Sequence, residues 1–349
     1  MKAERIYKIL IFIFSIIIIG AIFVYFRFGS LAEIASGPNS ISFKKSADSL
    51  AQRKEVEYLI NKFDSQSVYD AFKEQYKSEH YGIQHSMAHI VGEMIFKKEG
   101  INGLSVCDST FAFGCYHSFF SQALAEHGPN VIADLDAICI KKFGILGTGC
   151  QHGIGHGLVE YFGHDLEGLN DSLKECRRTN QPRPLAGCSS GVFMEFNLPI
   201  VLDDDNTKSE PRSFNPRNPY YPCDEVSTDY QDSCFYEIPQ WWNNISSMHD
   251  KFEILGSLCE DIKSKDHRTS CFLGTGHVIG PSTDYSIELS QKNCLSMPSQ
   301  EGKINCLSGA SWSFDANPDF RSKAPDVCSI LKEEDKYRCI KEAQAIIGT

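Results

Sequence analysis

VIADLDAICIKKFGILGTGCQHGIGHGLVEYF, residues 131–162, is one unit of a pattern that runs through most of the chain. An amphipathic stretch ends at Cys139, a short linker follows, and Cys150 opens a second apolar stretch. Two helices joined by a turn would bring these cysteines face to face, within the roughly 4.4–6.8 Å Cα separation that a disulfide needs. The 14 cysteines fall into seven consecutive pairs: Cys107/Cys115, Cys139/Cys150, Cys176/Cys188, Cys223/Cys234, Cys259/Cys271, Cys294/Cys306 and Cys328/Cys339. Spacing within a pair is 8 once and otherwise 11 or 12, and first members recur every 32 to 47 residues. Such a period belongs to helical hairpins, each of which needs a neighbour to bury its apolar face. The second cysteine of each pair is expected near the start of the second helix. Metal-thiolate clusters are the competing use of cysteine. They want close spacings such as C-x2-C, which the sequence lacks. Each link would close a loop of about a dozen residues and contribute roughly 2–3 kcal/mol.

Upstream, IQHSMAHIVGE (83–93) aligns without gaps on CQHGIGHGLVE (150–160), with Ile83 where Cys150 stands. An eighth unit without cysteine is therefore expected at one end of the array. The expected fold is all-α: about eight helix-turn-helix repeats, seven stapled by disulfides, forming a solenoid or a closed α/α ring over residues 50–349. Residues 198–222 interrupt the period with five prolines and Asp203-Asp204-Asp205, and read as a long exposed loop. The three adjacent aspartates lack the alternating spacing of an EF-hand, so a calcium loop is disfavoured.

Residues 9–26 (ILIFIFSIIIIGAIFVYF) are uncharged and apolar throughout and are closed by Arg27. With Tyr7 and Lys8 extending the helix, the run reaches roughly the 30 Å thickness of a bilayer core. Lys2, Arg5 and Lys8 precede it, so the positive-inside rule keeps residues 1–8 in the cytoplasm and exports the rest, to a cell surface or periplasm-like space. A cleaved signal peptide is the alternative, but its apolar core is usually shorter, about 7–15 residues. Both readings export the body, which suits disulfides. Residues 27–49 read as a tether. The net charge of −11 argues against nucleic acid as a partner, and the lipid bilayer is the partner expected for residues 9–26.

The chemistry lies in the histidines. Counting from the cysteine that opens each second helix, histidine occupies position +2 at His85, His117 and His152, and position +6 at His89, His156 and His277. Position +10 holds Glu93 and Glu160. Steps of four residues keep these positions on one helix face. Chance would put about half of one histidine in those sixteen slots, which hold six of the chain's 11. Two imidazoles at i, i+4 are a common way to build a helical metal site. Imidazole with carboxylate suits zinc, iron or copper, and also nickel or manganese. Glu93 and Glu160 are the candidate ligands or general bases toward a metal-bound water. The plain alternative is that the imidazoles pack between helices and bond to carbonyls or to the glutamates. His80, His127, His164, His249 and His267 fall off phase and read as surface or loop residues. Position +3 is small in six units (Ser86, Ser118, Gly153, Gly191, Gly274, Gly309), which implies close approach by a neighbouring helix or a ligand.

No Gly-x-Ser-x-Gly elbow, phosphate loop, dinucleotide fingerprint or haem-attaching C-x-x-C-H is present. Asn170 and Asn244 match the glycosylation acceptor pattern. Trp241, Trp242 and Trp312 read as core. Two functions remain in view: a transition-metal centre on the inner face, or a scaffold whose concave face binds a protein, peptide or glycan without catalysis.

Overall fold

A computed structural model describes residues 41–46, 48–111, 113–144, 148–179, 185–199, 212–317 and 319–346. Among them lie fifteen α-helices and no strand. In chain order these are α1 (Ser49–Lys62), α2 (Ser65–Tyr76), α3 (Tyr81–Glu99), α4 (Gly114–His127), α5 (Ile132–Phe143), α6 (Thr148–Phe162), α7 (Leu166–Glu175) and α8 (Cys188–Asn197). They continue with α9 (Thr228–Asn243), α10 (Phe252–Glu260), α11 (Lys265–Ser282), α12 (Ile287–Leu295), α13 (Gln300–Ala316), the single turn α14 (Ala324–Val327), and α15 (Glu333–Ala345).

All seven expected disulfides form, and no cysteine is free. Cys107–Cys115, Cys139–Cys150, Cys176–Cys188 and Cys223–Cys234 have Cα separations of 5.5, 5.6, 5.6 and 5.4 Å. Cys259–Cys271, Cys294–Cys306 and Cys328–Cys339 follow at 5.5, 5.3 and 6.0 Å. Each joins the segment before a turn to the helix after it. The helices after the turns pack in sequence: α3 on α4, then α6, α8, α9, α11, α13 and α15, each against the next. We call these the inner helices.

The placement of the second cysteines corrects the sequence expectation in four units. Cys115, Cys150 and Cys188 lie at or within two residues of the start of α4, α6 and α8, as expected. Cys234, Cys271, Cys306 and Cys339 instead lie six residues into α9, α11, α13 and α15, well inside the helix rather than opening it. Ser264 and Ser299 account for Cys271 and Cys306, since their hydroxyls accept the His267 and Gly302 amides and cap the helix early. Ahead of Cys234 and Cys339 the extra turn is acidic, with Asp229 in α9 and Glu333, Glu334 and Asp335 in α15. Carboxylates there complement the positive end of the helix dipole and favour an early start. Most of the polar stretches 263–268 and 297–303 ahead of Cys271 and Cys306 is thus first helical turn.

The close approach implied by position +3 is helix against helix. A Cβ on Gly191 would sit 1.9 Å from the His152 carbonyl oxygen, one on Gly274 1.8 Å from that of Tyr236, and one on Gly309 1.8 Å from that of Leu273. The contact is returned one turn on, where a Cβ on Gly155 would sit 2.1 Å from the Cys188 carbonyl oxygen and one on Gly276 1.9 Å from that of Cys306. Inner helices cross at backbone contact because these positions lack side chains.

Trp241 and Trp242 are fully buried, as expected, and their indoles donate to the carbonyls of Arg212 (2.7 Å) and Pro219 (3.1 Å). Of the expected loop at 198–222, residues 200–211 lie outside the described residues, and residues 212–222 lie against α9. There the Arg212 guanidinium stacks 3.6 Å above the Trp241 ring. The expected apolar span at 9–26 and the tail at 1–8 also lie outside the described residues, among which no helix is long and apolar enough to cross a membrane. By residue 41 the chain has docked. Ile41 and Phe43 are buried, and Phe43 donates its amide to Gln75 on α2 at 3.0 Å.

Candidate metal centre

His85 and His89 stand on α3, His117 on α4, and His152 and His156 on α6, three successive inner helices. Gly153 and Gly157 on one side of α6 meet Phe120 and Leu124 of α4, while Gly155 meets α8. Each glycine lowers the intrinsic helix stability of α6 by about 1 kcal/mol relative to alanine, and together they let it be squeezed from both sides. That squeeze brings the five imidazoles into one row. His85 Nε2 lies 3.1 Å from His89 Nε2, which lies 3.2 Å from His117 Nδ1. The His117 ring centroid is 4.3 Å from that of His156, whose Nε2 is 2.9 Å from His152 Nε2. Two triads result, His85/His89/His117 and His117/His152/His156, each with its ligand atoms within 4.8 Å of one another.

The outward ring nitrogens of His85, His152 and His156 face oxygen acceptors. His85 Nδ1 donates to the Phe111 carbonyl at 2.8 Å. That carbonyl sits in the loop closed by Cys107–Cys115, where Phe111 and Phe113 take left-handed backbone angles, φ 55° and 62°. Such angles are strained for aromatic residues, by about 1–3 kcal/mol each. His156 Nδ1 donates to Glu195 Oε2 at 2.7 Å. His152 Nδ1 meets Ser190 Oγ at 3.0 Å, and the Ser190 hydroxyl in turn donates to Glu237. These partners leave the Nε2 lone pairs of His85, His152 and His156 aimed into the row.

Burial favours neutral rings. It drives His89, His117 and His152 well below the usual histidine value, with repulsion from neighbouring imidazoles adding to it. His156 is lowered by burial to about 3. Burial also raises the Glu237 carboxyl, to about 8. His89 Nδ1 is sealed from water and has no hydrogen-bond partner among the described residues.

The other expected ligands divide. Glu160 continues the α6 face and lies 3.3 Å from His164, which lies 3.7 Å from Glu195. These three form a further group of potential ligands. Burial opposes a charge on His164, but the two carboxylates prevail and raise it to about 9. Glu93 belongs to neither triad and is ion-paired with Arg53 and, at 2.5 Å, with Lys97. His277 joins neither triad. It stacks on Tyr236 with centroids 5.5 Å apart, although it is near enough to His152 to depress that ring's protonation.

His164, expected off phase, is in the neighbourhood of the row, and Glu195 and Ser190 are additions that position-counting missed. Glu195 is at +7 of its unit, one residue off register. Its signal was a lone carboxylate in the apolar run VFMEF (192–196). The remaining off-phase histidines lie elsewhere: His80 caps α3, His127 and His249 pair with neighbouring acids, and His267 stacks on Phe235. Comparison of the chain with protein-family models, curated proteins and solved structures finds no match.

Proposed function

We propose that the imidazole row is a transition-metal centre in an exported protein anchored to the bilayer through residues 9–26. Seven disulfides suggest an oxidising, extracytoplasmic compartment. The anchor rests on the uncharged run alone.

One observation carries the metal reading. His152 and His156 present ring nitrogens 2.9 Å apart, and their other nitrogens face oxygen acceptors. With the Ser190 hydroxyl donating to Glu237 Oε1, an oxygen that a neutral carboxyl also offers as acceptor, the tautomers these partners favour leave a lone pair on both facing nitrogens. Two lone pairs at that distance repel unless one ring shifts its N–H inward, giving up its outer acceptor, or a cation lies beside them. A proton is disfavoured there by burial, which holds His156 down to about 3. A metal ion resolves the conflict. Metal–nitrogen bonds of about 2.05 Å give nitrogen–nitrogen edges of about 2.9 Å at right angles and about 3.3 Å in a tetrahedron. The observed 2.9, 3.1 and 3.2 Å separations fall in that range.

An all-imidazole donor set suits zinc, copper(II), iron or nickel. His117 is common to both triads and is therefore the pivot of the row. His85 and His152 are only half-buried, so solvent or a small ligand can approach an ion from that side.

Elemental analysis of the natively exported protein tests the reading. We expect at least one stoichiometric equivalent of a transition metal, largely lost in the His152→Ala, His156→Ala double variant. Metal-free wild type, or a double variant that retains wild-type metal, contradicts it.

A further inference from the structure

We infer that Glu160, His164 and Glu195 form a second metal site, harder in donor character than the imidazole row and joined to it through Glu195. The inference extends the reading of the row, and its test separates the two.

Three segments converge to build the site. Glu160 lies in the last turn of α6, which ends before Gly163. Gly163 takes φ 106°, a backbone angle open to glycine, and the chain folds back so that His164 faces the helix it has just left. Glu195 arrives from α8, carried inward by the contact of Gly155 with the Cys188 carbonyl. One oxygen or nitrogen from each residue lies within 4.8 Å of the other two.

In the metal-free protein His164 is the cation between the two carboxylates, and a metal ion would take that place after displacing its proton. His164 Nε2 is 3.3 Å from Glu160 Oε1 and 3.7 Å from Glu195 Oε1. Both His164 Nε2 and Glu160 Oε1 are shut from water, and at 3.3 Å they meet as an ion pair without good hydrogen-bond alignment. Buried polar atoms usually find a partner, and these two face each other without bonding geometry. Bonds of about 2.1 Å to nitrogen and oxygen span about 3.0–3.6 Å between adjacent ligands, close to what is seen. The two carboxylates, Glu195 fully buried and Glu160 largely so, supply the negative charge that a divalent ion needs.

Glu195 is the link. Its Oε2 accepts from His156 Nδ1 at 2.7 Å, while Oε1 faces His164. One carboxylate thus orients a ligand of the row with one oxygen and turns the other toward His164 in the second group. Two carboxylates with one imidazole favour manganese(II), iron(II) or zinc over copper(I). The row, all nitrogen, has the softer preference.

The test is a titration of metal-stripped full-length protein with Co(II), counting bound equivalents after gel filtration, with helicity checked by circular dichroism. The Glu160→Gln, His164→Ala variant is expected to bind one equivalent fewer than wild type. The His152→Ala, His156→Ala variant is expected to keep that equivalent while losing the row's. An unchanged count in the first variant overturns the inference and leaves the row standing. A count reduced only in the first variant supports the inference and removes the row. Should the first variant fail to fold, Mn(II) binding followed by loss of the free six-line resonance replaces it. One equivalent bound by both wild type and the His152→Ala, His156→Ala variant supports the site. No bound Mn(II) in either overturns it.

Discussion

At the scale of single residues, the row works by orientation. His152 is held through Ser190, His156 through Glu195 and His85 through the strained Phe111 carbonyl, so three different segments fix three lone pairs. Ser190→Ala removes the acceptor for His152 and should weaken metal binding about 10–100-fold, measured by competition with a chromophoric chelator. His117→Ala should lose more metal than His85→Ala, because it breaks both triads. Protonation gives a separate prediction for the metal-free protein. His156 and His277 are lowered by burial to about 3 and about 4, so the unfolded chain binds more protons below its own value near 6.5. Stability then falls as pH drops from 6.5, by roughly 1.4 kcal/mol per pH unit for each such histidine. Glu237 and His164 are raised, to about 8 and about 9, and lose their contribution as pH rises through those values. Chemical denaturation should therefore show a maximum near pH 6.5, with Glu237→Gln flattening the alkaline limb. Much of the row was legible from its four-residue spacing, which finds His85, His89, His117, His152 and His156. His164, four residues beyond Glu160 but past the end of α6, reads as off phase and is missed. The spacing misassigned Glu93, because Arg53 comes from α1 and no periodicity in α3 reveals it. Glu195 was illegible by counting, since α8 rotates its own face by one residue.

At the scale of elements, the glycines and the cysteines do complementary jobs. Glycine at position +3 lets adjacent inner helices touch backbone to backbone, and the disulfide behind it ties each helix to the segment before its turn. Gly274→Ala would drive a Cβ into the Tyr236 carbonyl, where only a shift of α11 relieves the clash. Overpacking of this kind costs about 1–3 kcal/mol, to be read as a lowered denaturation midpoint. Removing one staple, Cys259→Ala with Cys271→Ala, should cost roughly 2–3 kcal/mol by the same measurement. The pairing of the cysteines was readable because two adjacent segments and one turn leave each cysteine a single near partner. The helix starts were not. Before Cys271 and Cys306 a serine cap begins the helix early, and before Cys234 and Cys339 an acidic turn does. A polar first turn is indistinguishable from a loop when hydrophobic periodicity is the guide.

At the scale of the molecule, the order of packing in the inner helices decides which histidines can meet. His85, His117 and His152 share position +2, and α3, α4 and α6 are consecutive neighbours, so position in a unit becomes position along a row. His277 has the same phase as His156, but α8 and α9 stand between α6 and α11, and it ends beside Tyr236. The five imidazoles meet because their helices α3, α4 and α6 pack in succession, an adjacency that His277 on α11 lacks. The decisive measurement for the proposed centre is X-ray absorption at the edge of the metal that co-purifies with the protein from its native host. The account predicts a first shell of at least three nitrogen scatterers at about 2.0–2.1 Å with the multiple-scattering pattern of imidazole, and loss of that pattern in the His117→Ala variant. A first shell of oxygen or sulfur without imidazole scattering would contradict it.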